Sequence, residues 1–130
     1  MPSIVRSKSY GSVTVYWVDE AALRQMLDRL VEQYRQRPEV EAVVLFGSLA
    51  RGEFAVDSDV DLLLVLRESQ LPFPDRIPRY IPTDVPVDVQ VFPYTLEEIR
   101  RGHPLAQEAL RTGRILWQRG DLLLRLRSED

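Results

Sequence analysis

Apolar positions along the chain repeat with two different periods, which predict strands alternating with helices. Ser12–Val18 is rich in β-branched and aromatic residues and is predicted to be a strand. Gly11-Ser12 is interpreted as a simple turn with no strand in front of it. A helix is predicted after Asp19, its N-cap, because apolar residues then recur three and four positions apart. That apolar helix face consists of Leu23, Met26, Leu27, Leu30, Val31 and Tyr34.

Three runs of mostly apolar residues predict three strands that are buried in the core. Ala42–Phe46 and Asp59–Leu66 are two such runs, and continuous apolar residues are typical of strands covered on both faces. Val85–Phe92 is predicted to be the third core strand. Between them, the proline-rich segment 68–84 is predicted to be mainly loop, with a weak indication of a short helix over Asp75–Tyr80.

The last part of the chain carries helix-capping signals. Thr95, with Glu98 three residues later, predicts a capping box at a helix start. Pro104–Arg111 is predicted to be helical with Gly113 as its C-cap, and Arg114–Trp117 is predicted to be a short strand. Strands and helices thus alternate, which predicts an α/β fold with a small mixed sheet flanked by helices.

Composition narrows the classes of function. A chain of 130 residues with 45% hydrophobic residues is expected to form a single domain over residues 1–130. It has no cysteine and one histidine, which excludes disulfides, thiolate metal sites and His-rich sites. A net charge of −3 argues against direct nucleic-acid binding. No apolar run approaches the length of a membrane span and no secretory signal is visible, so a cytoplasmic location is expected.

Three aspartates occupy positions at which a core strand would normally carry apolar residues. Asp59 and Asp61 open one strand, and Asp88 lies within the valine-rich run Val85–Phe92. Residues two apart in a strand share a face, so the first two carboxylates are expected to converge and repel each other. A Mg²⁺ ion between the two carboxylates would offset their repulsion, because Mg²⁺ prefers carboxylate oxygens as ligands. About one Asp-x-Asp pair is expected by chance in a chain of this composition, so the pair alone is not informative. What makes it informative is its position at the start of a core strand.

The dipeptide Gly47-Ser48 directly follows the buried strand Ala42–Phe46. A strand that turns through glycine into a helical turn exposes backbone N–H groups, which can bind phosphate. Glycine permits close approach of the phosphate, and the serine hydroxyl is a further donor. On this observation alone, the alternative that Gly-Ser is only a turn stays open.

Together these features form one pattern: Gly47-Ser48, ten intervening residues, Asp59-x-Asp61, and Asp88 on a later strand. The pattern resembles the nucleotidyltransferase superfamily. It is most similar to the smallest members, the minimal nucleotidyltransferases, which occur beside HEPN-domain proteins as toxin–antitoxin pairs. The resemblance covers about residues 40–118. The proline-rich segment 68–84 departs from the helix often found there, which affects the acceptor-binding surface.

The resemblance implies a role for each residue of the pattern. Gly47 and Ser48 would hold the nucleotide phosphates. Asp59 and Asp61 would bind Mg²⁺ or Mn²⁺. Asp88 would complete the metal site and act as the general base toward an acceptor hydroxyl.

Two nearby residues have weaker signals. Arg51 is a candidate phosphate contact, with a solvated surface arginine as the alternative. Asp57 is interpreted as a loop cap, with an accessory role at the site as the alternative.

The activity implied by the resemblance is Mg²⁺-dependent transfer of AMP from ATP to a hydroxyl. The expected acceptor is a tyrosine of a partner HEPN-type RNase toxin, so that the chain acts as an antitoxin. At this length no separate acceptor-binding domain is expected, and a second chain would supply the acceptor. The alternatives are a non-catalytic antitoxin that neutralises its partner by binding, and an aminoglycoside-type nucleotidyltransferase.

Overall fold

A four-stranded sheet with helices on both faces forms the body of the protein, and a separate two-stranded hairpin precedes it. The computed structural model describes residues 4–52, 59–123 and 126. The elements are β1 (Val5–Tyr10), β2 (Val13–Val18), α1 (Glu20–Arg35), β3 (Val40–Phe46), β4 (Val60–Leu66), α2 (Phe73–Tyr80), β5 (Val89–Thr95), α3 (Leu96–Arg100), α4 (Pro104–Thr112) and β6 (Arg114–Gln118). None of these helices is both long and apolar enough to cross a membrane.

The sheet is mixed, as predicted. Its strand order is β5-β4-β3-β6, with β3 antiparallel to β4 and β6, and β4 parallel to β5. The register pairs Leu45 with Leu62 and, on the other side of β4, Leu62 with Val91. Because parallel strands cannot be joined by a tight turn, the chain crosses from β4 to β5 through α2.

Side chains alternate between the two faces of the sheet and form two separate cores. On one face, Leu62 and Leu64 of β4 pack with residues of α1 such as Met26. On the other face, Leu63 and Val65 pack with residues of α3 and α4. These β4 residues are fully buried, which confirms the prediction of a strand covered on both sides.

The N-terminal hairpin is only half predicted by the sequence. β2 is confirmed, but β1 was not expected, and the interpretation of Gly11-Ser12 as a turn without a preceding strand is wrong. The two strands pair from Val5↔Val18 to Tyr10↔Val13, so Gly11-Ser12 is the hairpin turn. Gly11 has φ +63°, a conformation that glycine adopts without strain.

Capping signals placed the helix starts correctly. Asp19 caps α1, since its Oδ1 accepts from the backbone N–H of Ala22 at 3.0 Å. Thr95 and Glu98 form the expected capping box of α3. Gly113 ends α4 with φ −80°, so its role is close packing: a Cβ there would lie 2.8 Å from the carbonyl oxygen of Leu45.

The third core strand starts later than predicted, because β5 begins at Val89 and not at Val85. Its partner β4 begins at Val60, which aligns with Val89, so the preceding residues extend beyond the sheet. Pro86 also lacks the N–H that a strand would need. As a consequence, Asp88 does not interrupt the strand but lies one residue before it, exposed to solvent.

Candidate active site

Gly47 and Ser48 form a tight turn at the end of β3. The N–H of Arg51 donates to the carbonyl oxygens of Gly47 and Ser48 at 3.3 and 3.2 Å. Within the described part of the chain, no acceptor is found for the N–H groups of Ser48, Leu49 and Ala50. A turn with free N–H groups and a serine hydroxyl at the end of a strand is suited to an anion such as phosphate.

Gly47 lies directly against the carboxylate of Asp61. It has φ +77°, and a Cβ added to it would overlap Asp61 Oδ2 and lie 3.4 Å from Asp61 Cγ. This approach results from the antiparallel register, in which Phe46 pairs with Asp61. A side chain at this position would therefore require the Asp61 carboxylate to move, and the positive φ would strain it as well.

Asp59 and Asp61 are four and two residues before Leu63, so the three side chains share one face of the sheet. Further along β4, α3 and α4 cover this face. Asp61 is the first residue of β4 on this face, and Asp59 immediately precedes the strand. Burial raises the pKa of Asp61, and the negative charge of Asp59 raises it further. Phe46, which pairs with Asp61 across the sheet, meets the ring of Phe92 edge to face with the ring centroids 5.3 Å apart.

The start of β5 brings two more polar side chains to the same face. The carbonyl oxygen of Asp88 accepts from the N–H of Val60 at 2.9 Å, so Asp88 lies beside the start of β4. Gln90 pairs with Asp61 in the parallel register, and its Nε2 donates to Asp59 Oδ2 at 2.8 Å. No role for Gln90 was predicted from the sequence. A signal for Gln90 was available, because it is a polar residue in a valine-rich run, two positions after Asp88.

The donor set fits a divalent metal ion. Asp59 and Asp61 offer hard carboxylate oxygens, which Mg²⁺ and Mn²⁺ prefer. The raised pKa of Asp61 shows that its charge is unfavourable in the free site, and a cation would relieve that cost. Over residues 4–52, 59–123 and 126, no group of three acidic or imidazole side chains is arranged to hold a metal. Asp88 as third ligand therefore stays a prediction.

The structure describes one of the two residues with weaker signals. Arg51 is exposed at the end of the Gly47-Ser48 turn. Asp57 lies outside the described residues. His103, the single histidine of the chain, packs against Tyr94 with tilted rings whose centroids lie 4.2 Å apart, and it precedes the first residue of α4, which is a structural position.

The chain is similar to known proteins in sequence and in fold. The family described as "Nucleotidyltransferase domain" matches residues 23–108. A protein of Methanocaldococcus jannaschii, whose name describes it as a candidate protein adenylyltransferase, is 38% identical over 47 residues. That segment covers 36% of this chain and 45% of the relative, so the match spans less than half of either protein.

Two solved structures have a similar fold. A candidate nucleotidyltransferase from Sulfolobus solfataricus matches with a TM-score of 0.55 and 25% identity, covering 77% of this chain and 86% of that one. A toxin–antitoxin crystal structure with AMP-PNP matches with a TM-score of 0.57 and 16% identity, covering 81% of each chain. At that identity the second similarity concerns the fold alone.

Proposed function

Because the chain belongs to the nucleotidyltransferase domain family, we propose that it transfers AMP from ATP to a hydroxyl group in a Mg²⁺-dependent reaction. The observation that carries this proposal is the contact between Gly47 and the Asp61 carboxylate. By this contact, a turn suited to phosphate lies beside two carboxylates suited to a metal ion. Phosphoryl-type transfer needs that combination of positioning and charge neutralisation more than it needs covalent chemistry from the protein.

The turn residues bind the nucleotide phosphates. The N–H groups of Ser48, Leu49 and Ala50, which have no acceptor among the described residues, would donate to non-bridging phosphate oxygens. The Ser48 hydroxyl is a further donor, and exposed Arg51 contributes positive charge at the end of the turn.

Asp59 and Asp61 hold the metal ion, with Asp88 as the proposed third ligand. When bound, the metal neutralises charge on the phosphates and on the leaving pyrophosphate. The hydrogen bond from Gln90 to Asp59 fixes the orientation of one ligating carboxylate.

Asp88 is the proposed general base. The acceptor hydroxyl oxygen forms a bond to the α-phosphorus, and its proton passes to the Asp88 carboxylate. The bond from the α-phosphorus to the bridging oxygen breaks, and pyrophosphate leaves with that oxygen. Asp88 is exposed at the start of β5, where an acceptor can approach it from solvent.

The proposed acceptor is a tyrosine hydroxyl of a partner HEPN-type RNase toxin, and its modification would make this chain an antitoxin. Two comparisons support a protein as acceptor and a toxin as partner. The Methanocaldococcus relative is named for protein adenylylation, and one structure of similar fold is a toxin–antitoxin structure with AMP-PNP.

An adenylylation assay tests the proposal. Its acceptor is the protein encoded by the neighbouring reading frame, co-expressed with this chain. Transfer of labelled AMP is expected with wild type and is expected to fall by about 10²–10⁴ in Asp88→Asn, which cannot accept the proton. Asp84→Asn, an exposed aspartate four residues earlier, is the matched control and is expected to retain activity. Mass spectrometry locates the added AMP. A partner that is inhibited but unmodified by wild type would overturn the proposal and support neutralisation by binding.

A further inference from the structure

The five tyrosines of the chain divide into two groups by accessibility. Tyr34, Tyr80 and Tyr94 are buried in the two cores. The hydroxyl groups of Tyr34 and Tyr80 also donate hydrogen bonds within the fold. Tyr10 and Tyr16, in contrast, are 59% and 61% exposed. These two are therefore the tyrosines whose hydroxyl groups another protein can reach.

Tyr10 lies at the end of a projecting hairpin. At the base of the hairpin, Val5 and Val18 are paired and pack against the core on the α1 side of the sheet. The pairing ends with Tyr10 and Val13, about 17 Å from the base at the usual rise of a strand. All residues over 6–17 are exposed, so the hairpin extends away from the body of the protein. Its tip thus presents Tyr10 to solvent.

The charge around Tyr10 is opposite to that of the candidate active site. Lys8 Nζ lies 5.3 Å from the centre of the Tyr10 ring, and residues 1–18 contain no acidic residue. The candidate site carries the carboxylates of Asp59 and Asp61, and bound ATP would add the negative charge of its phosphates. A cation beside the acceptor hydroxyl favours the approach of Tyr10 to such a site, since opposite charges steer an encounter.

Tyr16 is as exposed as Tyr10 but lacks both of these features. It lies within β2 and pairs with Ser7, on the hairpin face opposite to Lys8. Within residues 5–18, no charged residue shares that face. Tyr16 is therefore an internal comparison for the position and the charge of Tyr10.

We propose that Tyr10 is a site of self-modification, which receives AMP from ATP bound by another molecule of the same protein. This inference rests on the proposed function, in which the acceptor is a tyrosine hydroxyl. The hydroxyl oxygen of Tyr10 forms a bond to the α-phosphorus, and its proton passes to Asp88 of the other molecule. The bond from the α-phosphorus to the bridging oxygen breaks, and pyrophosphate leaves with that oxygen. Transfer is between molecules because the hairpin projects from the α1 side of the sheet, whereas Asp59 and Asp61 lie on the opposite face.

Mass spectrometry of the purified chain after incubation with ATP and Mg²⁺ tests this assignment, and AMP is expected on Tyr10. Tyr10→Phe keeps the ring but removes the hydroxyl, so it is expected to abolish self-modification and to retain transfer to the neighbouring protein. Tyr16→Phe is the matched control and is expected to retain both. An unmodified Tyr10 while the neighbouring protein receives AMP would overturn this inference alone. Absence of AMP from both proteins would overturn the proposed function as well.

A mixing experiment tests whether transfer occurs between molecules. Asp88→Asn keeps Tyr10 but lacks the proposed base, so its self-modification is expected to be about 10²–10⁴-fold slower than that of wild type. Tyr10→Phe keeps Asp88 but cannot be modified at this position. When the two variants are mixed, Asp88→Asn is expected to receive AMP on Tyr10, and intact mass distinguishes the two chains. An Asp88→Asn chain that stays unmodified in the mixture, with both variants folded by thermal melts, would contradict transfer between molecules.

Discussion

The Cα of Gly47 faces the carboxylate of Asp61 so closely that a methyl group on the glycine would overlap Asp61 Oδ2. This contact joins the turn after β3 to the first residues of β4 and fixes the distance between the proposed phosphate and metal subsites. Its importance can be measured, because another glycine has nearly the same backbone conformation without the contact.

We expect Gly47→Ala to lose AMP transfer and nucleotide binding. Alanine at φ +77° is strained by about 1 kcal/mol, and its methyl group would also displace the Asp61 side chain. Gly52→Ala is the control, since Gly52 has φ +76° and a Cβ there would meet nothing within 4 Å. Calorimetric ATP titration and thermal melts separate strain from the clash. Equal loss of binding in both variants would show that the contact with Asp61 is unimportant.

Asp61→Asn is expected to raise the melting temperature in the absence of metal. Burial, with the charge of Asp59, raises the pKa of Asp61, so its ionised form disfavours folding at neutral pH. The same variant is expected to lose the increase in melting temperature that Mg²⁺ and ATP give the wild type. Melts in EDTA and in millimolar Mg²⁺ measure both effects, with Asp84→Asn as the surface control. A less stable metal-free variant would contradict this account.

Gln90→Ala is expected to raise the Mg²⁺ concentration needed for half-maximal activity by about 10–100-fold. The reason is that Gln90 Nε2 holds Asp59 Oδ2 at 2.8 Å, and alanine leaves that carboxylate without its orienting partner. Activity at saturating metal should change much less. Gln36→Ala removes a similar bond, from Gln36 Nε2 to Glu32 Oε1 at 2.8 Å, far along the chain from the site. An unchanged metal dependence in Gln90→Ala would exclude a positioning role.

Arg76→Met is expected to destabilise the fold by about 3 kcal/mol, because it leaves the partners of a buried cation unpaired. The Arg76 side chain is 7% exposed and forms an ion pair with Glu98 at 2.6 Å. It also donates to the carbonyl oxygens of Leu71 and Pro93, and so attaches α2 to β5. The control is Arg101→Met, whose ion pair with Glu97 is exposed and should contribute little. Urea denaturation measures both variants.

Glu98 is expected to make stability depend on pH in the acid range. Burial alone would raise its pKa, but hydrogen bonds from Arg76 and from Thr95 outweigh burial and lower it below the ordinary value of 4.5. Since the folded-state pKa is the lower one, the stabilisation is complete above about pH 4.5 and is lost as the pH falls below it. Glu98→Gln should flatten this part of the stability profile. A profile identical to wild type would exclude the contribution of Glu98.

Local patterns predicted the elements whose structure depends on nearby residues. The periodicity of α1 and the apolar runs of β3 and β4 identify buried faces directly, since burial requires apolar side chains in those positions. The capping residue Asp19 located a helix start for the same reason: its bond to Ala22 spans three residues.

Features that depend on distant residues could not be predicted in this way. β1 is mostly polar and exposed, and it is a strand because it pairs with β2. The start of β5 at Val89 depends on where β4 begins. In the candidate site, the contact of Gly47 with Asp61 follows from the β3–β4 register, which no single segment specifies.

The alternation of β4 has a consequence for errors in folding. Asp59 and Asp61 share a parity with Leu63 and Val65, while Val60, Leu62 and Leu64 point toward α1. A slip of this strand by one residue would therefore insert both carboxylates into the α1 core and leave leucines exposed at the candidate site. Such a misaligned molecule would be too unstable to persist. A molecule whose core is correctly assembled therefore also has its carboxylates in the correct position. Inactive but folded molecules with a displaced site should thus be absent, and heat should abolish activity and structure together.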